Sequence, residues 1–320
     1  MKKIFTSAVI LGTSLLLSNC KPDDNTTTVQ DRDRQEVYVE NLNDIENFLK
    51  KNSIEILDHG VKFDSVTNEA SNSIWKQTAY PLQSITLKNN TYTLSKQTNK
   101  YERIKDDVEY KVYYIILAEG GGSKPYLHDD VYTAYQGYNL DRSSFDNLTN
   151  GFWSSYPDNT GAVATISGYQ QILQQIKTAA GIIDNGDGTY TYDNPGRVVV
   201  FIPSGLAYFS ANQVGISAYE PIIFDIKLIT NKEADHDKDG ILDKYEDLNN
   251  NGNLWDDDTD NDGKPNFLDI DDDGDGYTTR EEITYLVEEN GETIKKLYLF
   301  EEIPNCANGS IKKHLDKTCH

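Results

Sequence analysis

The sequence predicts an α+β fold: an antiparallel β-sheet wrapped on one helix, followed by a loop-rich acidic segment. Three observations carry this. Strand-like runs at 110–117, 130–138, 197–202 and 221–229 flank one helical pattern at 168–180. Residues 235–282 hold 18 Asp and Glu against 4 Lys and Arg, so most of the net charge of −22 sits in one short block. Only 37% of the 320 residues are hydrophobic, so part of the chain must be linker or loop rather than core.

The first element, 1–19, reads as an export signal. Lys2 and Lys3 precede a short apolar run at 4–17. A membrane span needs about 20 apolar residues, which this run does not reach. It ends in Leu17-Ser18-Asn19-Cys20, which resembles the bacterial lipobox. That resemblance implies that Cys20 becomes a lipidated N-terminus and anchors the chain to a membrane. Lys21-Pro22-Asp23-Asp24 is similar to the acidic signals that send Bacteroidetes lipoproteins to the surface, implying an outer-membrane lipoprotein of the cell envelope. Residues 20–35 are polar and Thr-rich, a flexible tether.

An N-terminal extension, 36–100, follows. Val39, Leu42, Ile45, Phe48 and Leu49 fall on one stripe of a helix over 39–52, and 54–94 alternates irregularly between turns. Within 101–231, Tyr-Lys-Val-Tyr-Tyr-Ile-Ile-Leu at 110–117 is a strand broken by Gly120-Gly121-Gly122. Ile172, Leu173, Ile176 and Ala180 share a face of the helix at 168–180, with Gly181 as its stop. Asp184-Asn185-Gly186-Asp187-Gly188 lies between apolar Ile182-Ile183 and alternating Thr-Tyr pairs, the setting of a hairpin turn rather than a cation loop.

Five motifs then recur in a telling order. They are Val131-Tyr132-Thr133-Ala134-Tyr135-Gln136-Gly137, Ser144-Phe145-Asp146, Thr165-Ile166-Ser167-Gly168-Tyr169, Phe201-Ile202-Pro203 through Leu206-Ala207-Tyr208, and Gly215-Ile216 with Ile223-Phe224-Asp225. Together they resemble the FKBP family of prolyl isomerases. The resemblance implies an aromatic pocket walled by Tyr135, Phe145, Tyr169 and Phe224 and floored by Ile166 and Ile216. It also implies that the Tyr208 hydroxyl and the Ile166 N–H orient the substrate and that Asp146 fixes the polar edge. Tyr169 replaces the usual Trp, Phe209 replaces a Gly, and Gly151 stands near a customary Arg.

The acidic block at 232–283 is spaced, not merely charged. Asp235, Asp237, Asp239, Asp243 and Glu246 occupy positions 1, 3, 5, 9 and 12 of a twelve-residue calcium loop, with Gly240 at position 6. Asp258, Asp260, Asp262 and Asp269 repeat the pattern, as do Asp271, Asp273, Asp275 and Glu282. Asp247-Asn249-Asn251 is a degenerate copy. The string resembles thrombospondin type 3 repeats, implying structural Ca2+ and only a few apolar anchors: Ile241, Leu242, Trp255, Phe267 and Leu268. Calcium is expected to order this segment without being needed by the pocket. In the C-terminal segment, 284–320, Cys306 and Cys319 permit one disulfide in an exported chain.

The strong negative charge argues against nucleic-acid partners. The leading expectation is a peptidyl-prolyl cis-trans isomerase acting on proline-containing protein substrates outside the cytoplasm, similar to Bacteroidetes lipoprotein isomerases, some of them associated with gliding. A proline-segment binding module without turnover and a calcium-stiffened surface adhesin are the alternatives.

Overall fold

A computed structural model describes residues 30–157, 163–306 and 309–319; the expected signal at 1–19 and Cys20 lie outside them. From Arg32 onward the chain forms one compact unit. Its elements are helix α1 (Arg34–Lys51), strands β1 (Asn52–Ile56), β2 (Val61–Ser65), β3 (Gln83–Leu87), β4 (Tyr92–Leu94), β5 (Tyr101–Arg103), β6 (Tyr110–Ala118), β7 (Asp130–Asn139), β8 (Ser144–Ser155) and β9 (Val163–Ala164). Helix α2 (Ser167–Ile172), strands β10 (Gly181–Asp184), β11 (Tyr190–Asp193), β12 (Gly196–Ile202) and β13 (Ile222–Lys232), helix α3 (Thr279–Glu282) and strands β14 (Thr284–Glu289) and β15 (Glu292–Leu297) follow.

Seven strands form the main sheet in the order β3-β6-β12-β13-β7-β8-β9, antiparallel except for β8 beside β9. Central β12 reads as an almost unbroken apolar run, the pattern of a strand covered on both faces. Val198, Val200 and Ile202 pack with Ile172, Leu173 and Ile176 of the α2 region. Val199 and Phe201 point the other way, onto Ile45, Phe48 and Leu49 of α1. The sheet is therefore wrapped by two helices, not the one expected, because the 36–100 stretch is part of the domain. It also supplies the edge strand β3.

Helix α1 starts at Asp33, whose carboxylate accepts from the Glu36 N–H at 2.9 Å, and Lys50 and Lys51 complement its C-terminal dipole. Its buried stripe is Val37, Asn41, Ile45, Phe48 and Leu49, whereas Val39, expected inside, is 49% exposed. Asn41 takes an interior place because its amide donates to the Tyr219 carbonyl and accepts from the Ser204 N–H. Hydrophobic period cannot reveal a polar residue held by partners more than 160 positions away.

The helix expected over 168–180 is also shorter, ending in a 3-10 turn at Leu173–Gln175. Beyond it, the N–H groups of Lys177, Thr178, Ala179 and Ala180 donate to Glu119, Ser123, Ile229 and Asp193. Neighbouring segments thus take the backbone groups a longer helix would have used. The 184–188 turn closes the exposed β10–β11 hairpin as expected.

The acidic segment folds back on the domain. Leu254, Trp255, Phe267 and Leu268 share a core with Tyr92, Tyr101 and Tyr126. Trp255 stacks on Tyr92 with centroids 4.2 Å apart. Ile241 joins a second small core with Ile283 and Ile303, while Leu242 is only half-buried. Cys306 and Cys319 are joined by a disulfide, Cα to Cα 5.8 Å. No helix among the described residues is long and apolar enough to cross a membrane.

Candidate functional site

Neighbouring strands β7 and β13 build the aromatic site. Tyr135 pairs with Ile226, and Phe224 pairs with Gly137. Three rings meet Phe224 edge-on: Tyr135 at 5.3 Å, Phe145 at 5.5 Å and Tyr169 at 5.2 Å, with interplanar angles of 82–90°. Such edge-to-face pairs add to the burial of the rings. Tyr169, Ile216 and Phe224 are buried there, and Tyr135, Phe145, Ile166 and Tyr208 pack on them half-buried. The expected pocket residues are thus brought together, with Asp146 at the rim.

Local sequence explains each placement. Phe145 can lie across β7 only because residue 137 is Gly: a Cβ there would stand 2.4 Å from the Phe145 ring. Tyr169 sits in the first turn of α2, and its hydroxyl meets Thr133 Oγ1 at 2.8 Å. That bond satisfies a polar tip at the base of the aromatic cup. Ile166 caps α2: its carbonyl accepts from Tyr169 and Gln170, and its own N–H is outside the helix ladder.

The polar edge is compact. The Tyr135 hydroxyl donates to Asp146 Oδ2 at 2.5 Å. Burial pushes the Tyr135 phenol up, and the bond to Asp146 adds to this. Burial and then the Asp146 charge raise Tyr208 as well. Both phenols therefore stay protonated donors. Among the described residues no Arg pairs with Asp146, and Gly151 takes a left-handed φ of +77° beside the Tyr132 ring.

Phe209 has φ +50°, a conformation Gly adopts without strain. Its ring is held by the Arg34 guanidinium 4.0 Å above it and by Tyr219 edge-on at 5.1 Å. In the adjacent pair Phe152-Trp153, Phe152 meets Tyr135 at 5.5 Å and extends the wall, while Trp153 faces Tyr132 and solvent. Strand alternation in β8 is the signal that separates them. A cavity of about 330 Å³ lies on the other face of the sheet, lined by Gln136, Arg197, Asp225 and Tyr192. The Arg197 guanidinium there is taken up by Asp225 and the carbonyls of Leu57 and Gly60.

The acidic loops share one backbone course. Lys238 and Gly240, Asn250 and Gly252, Asn261 and Gly263, and Gly274 and Gly276 are all left-handed, at the fourth and sixth positions of successive loops. N–H groups of each loop close onto its own carboxylates, as Gly263 does onto Asp258 and Gly276 onto Asp271. Carboxylate oxygens of Asp258, Asp260 and Asp262 lie within 4.8 Å of one another, as do those of Asp271, Asp273 and Asp275. A third group joins Asp237, Asp239 and Glu246 to Asp272, which the spacing did not single out.

These groups fit a hard divalent cation with oxygen ligands. Both Glu246 carboxylate oxygens are buried without a hydrogen-bond partner among the described residues. Burial, and then the neighbouring acids, raise Asp237 and Glu246 well above the carboxylate range. Burial raises Glu282 to about 8, helped by Asp273 and Asp275. Four expected ligands stand outside the three groups. Asp243 instead accepts from the His236 N–H at 3.0 Å and meets His236 Nδ1 at 2.5 Å. Asp269 accepts from Lys264 and from the Asp271 N–H. Asp235 and Glu282 are not gathered within 4.8 Å of the rest.

Among protein families, the BamM C-terminal model matches residues 236–313. No curated protein matches the chain. Among solved structures it is similar to FkpA from Escherichia coli, at 24% identity and TM-score 0.30, over 38% of this chain and 48% of that one. A peptidyl-prolyl cis-trans isomerase from Pseudomonas syringae pv. tomato is similar at 25% identity and TM-score 0.30, over 38% and 76% of the two chains. The N-terminal domain of FKBP42 from Arabidopsis thaliana is similar at 15% identity and TM-score 0.30, over 38% and 87%. The match thus spans about half the length of the Escherichia coli chain.

Proposed function

We propose that the chain is an FKBP-type peptidyl-prolyl cis-trans isomerase acting on X-Pro bonds of exported proteins. The observation that carries the reading is the aromatic cup around Phe224, lined by the residues of all five motifs. Rotation about an X-Pro bond faces a barrier of about 18–20 kcal/mol because resonance holds the amide planar. The twisted amide has lost much of its charge separation, so a dry aromatic cup favours it over the planar, solvated form. The protonated Tyr208 hydroxyl donates to one substrate carbonyl and the Ile166 N–H to the next. Asp146 holds Tyr135 in the wall and keeps the rim polar.

Around that activity, Cys20 carries the lipid that ties the chain to an envelope membrane, and Ca2+ organises the acidic loops. Asp237, Asp239 and Glu246, Asp258 with Asp260 and Asp262, and Asp271 with Asp273 and Asp275 are the residues that would hold the ions. The ion supplies positive charge that lets these buried carboxylates ionise together, a structural rather than chemical role.

The test is an isomerase assay on a proline tetrapeptide. Changing Tyr208→Phe and Phe145→Ala together should cut the rate at least tenfold, about 1.4 kcal/mol of transition-state stabilisation. Wild-type protein no faster than the spontaneous reaction would reject the enzyme and leave a proline-binding module.

A further inference from the structure

We infer that Asp272 is a ligand of the first calcium loop, so that one divalent cation ties together two loops whose ligands Glu246 and Asp272 stand 26 positions apart in the sequence. This rests on the calcium reading proposed above and assigns a residue that reading does not contain. Asp272 lies between Asp271 and Asp273, which belong to their own loop, and its carboxylate is gathered with a different group of acids. One of its oxygens falls within 4.8 Å of those of Asp237, Asp239 and Glu246.

Three features point to an ion. Asp272 is 2% exposed and Glu246 3% exposed, and neither carboxylate has a hydrogen-bond partner on either oxygen. The Thr279 hydroxyl accepts from the Asp272 N–H at 3.2 Å, and its weak pull on the carboxylate is outweighed by burial and by the charges of Asp239 and Asp237. Two buried, unpartnered carboxylates facing each other are strongly unfavourable unless a cation neutralises them. The ninth position of the first loop, where a ligand is expected, is vacated: both Asp243 oxygens are engaged by His236. Asp272 therefore supplies the oxygen that Asp243 withholds. The nearby Arg280 does not compete for this role, since its guanidinium reaches the Lys238 and Asp239 carbonyls. The class of ligand is a hard cation of calcium size, because four carboxylate groups converge with no nitrogen or sulfur donor.

The consequence is topological. A cation held by the loops that begin at Asp235 and Asp271 closes the acidic segment on itself, and the two intervening loops, which begin at Asp247 and Asp258, are spanned by that closure.

The test uses the full-length protein and Asp272→Asn, a change of charge with little change of shape. Calcium titration should show one site fewer, or one weakened at least tenfold, while the other sites keep their affinity. Melting should move in opposite directions: up in chelator, where a buried charge has been removed, and down in saturating calcium. Glu246→Gln should act on that same site, so the double variant should lose one site in all and not two. A wild-type chain that binds no calcium would overturn the calcium reading itself. A wild-type chain that binds calcium, with Asp272→Asn unchanged in stoichiometry and affinity, would overturn only the inter-loop site. So would a variant whose melting falls equally in chelator and calcium, or the loss of two separate sites in the double variant.

Discussion

At the scale of single residues, Gly137 and His128 give the sharpest tests. An added methyl at Gly137 meets the Phe145 ring, so Gly137→Ala must push that ring out of the cup. Overpacking of this kind costs about 1–3 kcal/mol. The expected outcome is a folded protein whose isomerase rate falls at least tenfold; an unchanged rate would remove Phe145 from the pocket. His128 is buried against Tyr156 and Phe267 with neither ring nitrogen partnered. Burial, and then the His236 charge, lower it from 6.5 to about 3. Between those values the unfolded chain takes up a proton that the folded chain refuses. Stability is therefore complete above pH 6.5 and falls as the pH drops, by about 1.4 kcal/mol per unit. In calcium-saturated protein, His128→Phe should flatten the fall of the urea midpoint between pH 6.5 and 5. Some slope should persist, because burial also lowers His314 to about 4. An identical slope in the variant would rule out His128 as its source.

At the scale of elements, helix α1 and the β4–β5 hairpin link regions that the sequence separates. Leu49 is fully buried between α1 and the sheet, and Leu49→Ala should cost about 2–5 kcal/mol in denaturant unfolding. Val39→Ala, on the exposed side of the same helix, should stay within about 0.5 kcal/mol. Equal effects would contradict the observed face. The acidic segment is bound to β4–β5 by the Trp255–Tyr92 stack, by the Tyr101 N–H donating to the Gly263 carbonyl and by Lys100 reaching the Asn261 carbonyl. Chelation should therefore expose 92–103 to protease together with 235–282. Cleavage confined to the acidic loops would show that the hairpin stands without them. The hairpin in turn follows Asn90, whose side chain accepts from the Ser167 hydroxyl beside Ile166 at 2.7 Å. This route joins the acidic loops to the rim of the aromatic cup, so the independence expected from the sequence does not follow from the packing.

At the scale of the whole molecule, the proposed anchor and the disulfide set the two ends. Cys20→Ser should release the exported protein from the membrane fraction, and equal retention of both forms would exclude the lipid. The Cys306–Cys319 bridge spans a sequence separation of 13 beside the core of Ile241, Ile283 and Ile303. In the chain-entropy model a closed loop of that size stabilises by about 3 kcal/mol. Cys319→Ser should lower the melting temperature of the C-terminal transition, measured in calcium, and an unaltered melt would show that this small core suffices.

Strands β6, β7, β12 and β13 were legible in the sequence because long apolar runs report burial directly, and the pocket residues were legible as five ordered motifs. The loop course was legible too, since Gly at each sixth position and Asp at alternate positions record backbone hand and ligand spacing locally. What the tertiary structure alone decided concerns partners distant in sequence. It turned Asn41 inward to serve Ser204 and Tyr219, gave Asp243 to His236, and brought Asp272 to Glu246. It also made the 36–100 stretch the second cover of the sheet. The physical reason is common to all four: periodicity records whether a side chain leaves water, whereas the identity of its partner depends on which segments meet when the chain closes on itself.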